Sequence, residues 1–131
     1  MTLRVEDRLD ITELIALHGQ LVDAGETQRM GEVFAADVIH DLTDLGMGIV
    51  TGLDLFRAPD SGVEHPVGHH ATNTVLTALE DGRAHAWSKG IGVRADGTAG
   101  SVVYEDIVER RPEGWRIVRR RISVRRTPLG G

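Results

Sequence analysis

Four stretches of extended-type sequence follow one another between residues 68 and 126. They run over 68–79, 83–94, 99–110 and 115–126, and only short turn signals separate them: Glu80-Asp81-Gly82, Ala95-Asp96-Gly97 and Pro112-Glu113-Gly114. Turn residues at that spacing join neighbours as antiparallel hairpins, because a parallel pair needs a crossover of roughly a dozen residues or more. A run of hairpins makes a sheet with one face to bury, and something else in the chain must cover that face.

The cover is upstream. Over residues 6–24, Ile11, Leu14, Ile15, His18, Leu21 and Val22 recur at three- and four-residue steps, the stripe of an amphipathic helix. Asp10-Ile-Thr-Glu13 has capping-box spacing, with a start one turn earlier as the alternative, and Gly25 is the stop. A second short helix is expected over 27–35, with Thr27 as N-cap and Met30, Val33 and Phe34 facing inward. Residues 37–42 read as a first strand, Gly46, Gly48 and Gly52 punctuate a loop, 53–58 reads as a helical turn, and 58–66 as a loop. Helices first and hairpins afterwards predict a single α+β domain over 1–131, with a curved, mostly antiparallel sheet wrapped around the N-terminal helices.

Composition narrows the functional classes. Forty per cent apolar and 27% charged residues are ordinary for a globular chain, and 131 residues suffice for one core. There is no cysteine, which removes disulfides and thiolate metal or redox sites. No apolar run reaches the roughly 18 residues of a membrane helix, so no membrane partner is expected and a cytoplasmic location is the default. The net charge of −5 conceals eight arginines against one acid in residues 110–131. Those arginines alternate with Ile and Val at strand spacing, with one aromatic residue among them. The tail therefore reads as a strand whose cations meet acids on neighbouring strands or face solvent, and no nucleic-acid partner is expected.

Several polar residues stand in apolar company. His18 lies on the helix stripe, and Asp23 sits near the helix end, where the dipole disfavours a carboxylate and a partner is called for. In a regular strand His69, Ala71, Asn73 and Val75 share one face, so an imidazole and an amide would line a pocket wall. Ser88 has the parity of Ala84 and Ala86, small residues that leave room for a ligand, and Trp87 is its neighbour. Tyr104 and Asp106 share a face with Val102 and Val108, and Asp41 ends the first strand. An enclosed carboxylate beside an imidazole can move protons near neutral pH. Proton abstraction next to a carbonyl, loss of water or ring closure then needs no cofactor, and none is expected. His65, His69 and His70 are close in sequence, but His65-Pro66 opposes a helix and adjacent strand residues point opposite ways, so no metal is expected.

The order Leu14-Ile-Ala-Leu-His18, Asp23-Ala-Gly25, Phe34-Ala-Ala-Asp37, Gly52, His69-x-x-x-Asn73, Ala84-x-Ala-x-Ser88, Tyr104-x-Asp106 and Gly114-Trp115-Arg-Ile117-x-x-Arg120 resembles the SnoaL-like family. That family belongs to the nuclear-transport-factor-2-like superfamily of α+β cones. The superfamily holds polyketide cyclases, scytalone dehydratase, ketosteroid isomerase, limonene epoxide hydrolase, dioxygenase small subunits and non-catalytic members. The resemblance implies a deep pocket between sheet and helices, usually without metal or organic cofactor. Similarity to scytalone dehydratase puts its helix aspartate on Asp23 and one catalytic histidine on His69, while its second histidine falls near Ser88. Asp41 lies one residue out of register with the base of ketosteroid isomerase, and His18 stands where many relatives have tyrosine.

The resulting expectation is a cofactor-independent dehydratase, cyclase or isomerase for a small, polyketide-like carbonyl metabolite. Asp23, His69, Asp41 and Tyr104 are the catalytic candidates; His18, Asn73, Trp87, Ser88 and Asp106 are the substrate-binding ones. The alternative is a small-molecule-binding or accessory subunit with the same fold. In either case a homodimer through the outer sheet face is expected, because an arginine-and-apolar strand face suits a partly polar interface.

Overall fold

The apolar stripe becomes α1 (Val5–Asp23), in the computed structural model that describes residues 2–57 and 65–130. Its start is the earlier alternative: the backbone N–H of Arg4 donates to the Asp7 carboxylate at 3.3 Å, while Asp10 and Glu13 are exposed within the helix. Asp7 is itself buried, held by Arg110 and by the indole N–H of Trp115 at 3.3 Å, so the helix start is tied to the far end of the sheet.

Six strands follow: β1 (Phe34–Leu42), β2 (Gly48–Thr51), β3 (Gly68–Ala78), β4 (Ala84–Val93), β5 (Ala99–Arg111) and β6 (Gly114–Val124). They form one sheet in the order β2-β1-β6-β5-β4-β3, antiparallel throughout except where β1 runs parallel to β6. The α+β plan and its hairpin ladder are as expected from the turn signals. Upstream, two details differ. The expected helix over 27–35 is a 3-10 turn, Thr27–Glu32, without a side-chain cap, and Phe34 already pairs with Ile117 of β6 as strand. The glycine-punctuated loop contains β2, which pairs with β1. Over 53–58 a 3-10 turn covers Asp54–Phe56; most of the expected loop over 58–66 lies outside the described residues.

Two β-bulges reset which side chains face α1. Thr72 pairs with Lys89 but Val75 with Trp87, so β3 carries one extra residue, and Asn73 there adopts φ 57°. On β6, Arg119 pairs with Ile107 and Ile117 with Val108, leaving Val118 as the extra residue. Each insertion moves the following side chains to the opposite face. Beyond the first, Val75 is exposed while Leu76 and Ala78 pack on the core. Beyond the second, inward parity passes from Ile117 to Arg120, and Arg120 is 1% exposed. The core between helix and sheet is Ile11, Ile15, Leu21, Phe34, Val38, Val108, Trp115 and Ile117 with their neighbours. No helix among the described residues is long and apolar enough to cross a membrane.

Candidate active site

Asp23 ends α1, where unpaired carbonyls make a carboxylate unwelcome. It stays because β3 supplies two donors: the backbone N–H of His69 to Oδ2 at 2.9 Å and the His69 ring Nδ1–H to Oδ1 at 2.7 Å. Burial would raise the pKa of Asp23, and the two bonds from His69 outweigh it, leaving the carboxyl below its usual range. An ionised carboxylate only accepts, so Nδ1 carries the ring proton and Nε2 is left as a base.

The contact depends on a close approach of α1 and β3 at Gly19. A Cβ on Gly19 would lie 2.4 Å from the carbonyl oxygen of His69, inside any normal contact distance. Only glycine lets the helix lie this near the strand while Asp23 reaches His69.

Asp23 and His69 line a cleft of about 580 Å³ together with His18, Val22, Phe56 and Pro66. Their side chains are 29% and 23% exposed, open enough to meet a ligand. Behind them the inner sheet face is polar in a way the core is not. Arg120 is locked by Asp106 through two bonds, Nε to Oδ1 at 2.7 Å and Nη2 to Oδ2 at 2.9 Å. Its third nitrogen, Nη1, faces His18 Nδ1 at 3.3 Å, and the guanidinium lies 4.2 Å from the Tyr104 ring centroid. The Tyr104 ring fits because β4 has Gly90 there; a Cβ at that position would meet its hydroxyl at 2.7 Å.

Burial holds His18 well below the usual histidine range, and the charge of Arg120 acts in the same direction. Burial likewise brings His40, which pairs in register with Arg120, down to about 4, with Arg120 again second. Burial raises the Tyr104 phenol, which therefore stays protonated. Among the described residues, His40 Nε2 and Ser88 Oγ are buried without a hydrogen-bond partner.

The structure thus brings Asp23, His69 and His18 to one cleft, with Tyr104 and Asp106 in the buried layer beneath and Ser88 beside Tyr104 in register. Asp106 spends both oxygens on Arg120, so it positions that arginine and does not face the cleft. Three candidates are elsewhere. Asp41 has the parity opposite to buried Val38, His40 and Leu42; it accepts from the backbone and hydroxyl of Thr43 and lies 3.9 Å from Arg119. Asn73 is the bulge residue and, with exposed Val75 and Trp87 and with Ser88, lines a depression of about 220 Å³ on the outer sheet face. Trp87 points outward because its neighbours Ala86 and Ser88 point inward; it is 56% exposed.

Arg120 and His40 were missing from the sequence candidates. His40 was findable, since Val38-x-His40-x-Leu42 alternates as a strand with a buried face. Arg120 closes the run of residues that resembles the family, but the bulge at Val118 breaks the alternation that would have placed it on the inner face. A second cleft of about 500 Å³ runs between α1 and the β5–β6 turn; of its charged residues, Asp10, Glu13 and Arg110 are exposed and Arg116 is half-buried. Among the described residues no three His, Asp or Glu side chains converge to hold a metal ion.

The family model described as a SnoaL-like domain matches residues 3–121. No curated protein matches the chain. Among solved structures, a protein of unknown function with a cystatin-like fold from Nostoc punctiforme is 23% identical, with 97% of each chain covered and a TM-score of 0.79. An NTF2-like protein with a cystatin-like fold from Novosphingobium aromaticivorans is 27% identical over 92% of this chain and 82% of that one, TM-score 0.71. A hexachlorocyclohexane dehydrochlorinase, LinA type 2, is 22% identical over 98% and 92%, TM-score 0.74.

Proposed function

This chain belongs to the SnoaL-like domain family, and on that premise we propose that it is an acid–base enzyme that eliminates, cyclises or isomerises a small carbonyl-bearing metabolite. The observation that carries the reading is the Asp23–His69 pair at the mouth of the cleft. His69 Nε2 removes a proton from carbon, and Asp23 keeps the opposite ring nitrogen protonated and stabilises the imidazolium that forms. In an elimination the same imidazolium returns the proton to the departing oxygen. No electron is gained or lost overall, so the chemistry calls for no redox partner. The structural likeness to a protein named as a dehydrochlorinase is in keeping with elimination as the reaction type.

A second reading has its own observation. Arg120, Tyr104 and Asp106 fill the layer beneath the cleft, so a ligand would be held near the mouth, as in a binding subunit. For either reading the proposed assembly is a homodimer through the outer sheet face. There Val75, Trp87 and Ile91 are exposed among Lys89, Glu105 and Arg121.

The test is dehydration of a panel of β-hydroxy ketones, followed by the absorbance of the enone. Wild-type protein should accelerate at least one of them, and His69→Ala should lose about 10²–10⁴ of that rate. A variant that kept more than half of it would exclude His69 as the base.

A further inference from the structure

An arginine side chain only donates hydrogen bonds. Where Arg120 Nη1 faces His18 Nδ1 at 3.3 Å, the imidazole nitrogen must therefore be the acceptor, and the ring proton must sit on Nε2. Arg120 cannot turn away, because Asp106 holds its other two nitrogens and both side chains are buried. The His18 ring cannot turn either. It stands edge-on to Phe34 at 5.6 Å, Phe56 at 6.1 Å and Tyr104 at 6.5 Å between ring centroids. Asp106 and Arg120 thus act through His18 as positioning residues, fixing both its tautomer and its orientation.

We propose that His18 is the neutral hydrogen-bond donor of the cleft, presenting Nε2–H to the carbonyl oxygen of the substrate while His69 deprotonates the adjoining carbon. It rests on the acid–base reading given above and names the substrate class within it: compounds whose reacting C–H lies next to a carbonyl. In the step, the C–H bond breaks and its proton passes to His69 Nε2. The electron pair moves into the carbon–carbon bond, the carbonyl π pair moves onto oxygen, and the enolate oxygen accepts from His18. Reprotonation at another carbon gives isomerisation, and loss of a β-hydroxyl with the returned proton gives dehydration. The groups facing His18 favour a neutral donor: Arg120 from β6, His40 from β1 and His69 from β3 are all cations or bases able to become one. A neutral donor also leaves His69 as the one group of the pair that changes charge, so a carbanion-like transition state gains a hydrogen bond without a second proton transfer.

Two measurements test this. Ring nitrogen–proton correlation NMR of the wild-type protein should show His18 as the neutral Nε2–H form across pH 6–8. An Nδ1–H or doubly protonated ring would overturn the proposal. In kinetics on the most active β-hydroxy ketone, His18→Phe should lower kcat by about 10²–10³, the usual loss for one oxyanion donor, with little change in KM. His18→Gln, which keeps an N–H donor, should recover part of that loss, and this rescue serves if the Phe variant folds poorly. If His18→Phe and His18→Gln both stay within threefold of wild type while His69→Ala loses its rate, His18 is a packing residue and the base assignment stands. If His69→Ala also stays near wild type, the acid–base reading itself fails.

Discussion

Gly19→Ala puts the helix–strand contact under direct test. The new Cβ would sit 2.4 Å from the His69 carbonyl oxygen and 3.3 Å from its carbonyl carbon. Both are backbone atoms, so relief requires α1 and β3 to separate, by about 1 Å if the contact is to reach an ordinary distance. The Asp23–His69 bonds of 2.7 and 2.9 Å lie across the same gap, and such a movement carries them past hydrogen-bond range. Overpacking costs about 1–3 kcal/mol and two lost bonds about 1–3 more, offset by about 1 kcal/mol because alanine favours helix. The net expectation is a loss of about 1–5 kcal/mol in urea unfolding. A misplacement near 1 Å lowers a positioned reaction about 10²-fold, so the enone-forming rate should fall by that order even where the variant is folded. A Gly19→Ala protein with raised stability and full activity would show that the approach at Gly19 does not hold the Asp23–His69 pair.

Three further outcomes follow from the buried layer and the outer face. Asp106→Asn strands the buried Arg120 charge and should destabilise the fold by about 3–5 kcal/mol in chemical denaturation; a change under about 1 kcal/mol would mean the pair is not desolvated as its burial implies. His40 is held down to about 4, whereas the unfolded chain titrates near 6.5, so the unfolded state binds the extra proton between those values. Stability should therefore fall as pH drops from about 6.5 to about 4, by about 3 kcal/mol at most for this group, and level off below; His18 adds a loss of the same sign. His40→Phe should flatten part of that slope in pH-dependent urea midpoints, and an unchanged slope would assign the effect elsewhere. Trp87→Glu should weaken homodimer association about 30-fold or more in sedimentation equilibrium, as expected for an aromatic anchor, and an unaltered association constant would remove the outer face as the interface.

Most of the fold could be read along the chain because hairpins are local. Gly82, Gly97 and Gly114 all take positive φ at the turns where the sequence placed them, and each strand between follows from its turn. The parallel pairing of β1 with β6 joins residues far apart in the chain, Phe34 with Ile117 and His40 with Arg120, and leaves no local mark. The site divides the same way. Asp23 signalled itself by standing at the wrong end of a helix dipole, but its partner lies 46 residues away, and only the family resemblance linked the two. Bulges at Asn73 and Val118 each insert a residue that no spacing rule anticipates. The first carried Asn73 out of the expected pocket wall, and the second turned Arg120 into the buried layer beneath the cleft. Asp41 and Trp87 are different: strand alternation puts His40 and Ser88 on the inner face and so turns Asp41 and Trp87 outward.

A double-mutant cycle on Asp23→Asn and His69→Ala, read as kcat/KM on the best β-hydroxy ketone, asks whether the two side chains act as one unit. If they do, each single variant should lose about 10²–10⁴, and the double variant should lose little more than His69→Ala alone. Losses that simply multiply, or an Asp23→Asn enzyme as fast as wild type, would contradict a base whose proton is placed by that carboxylate.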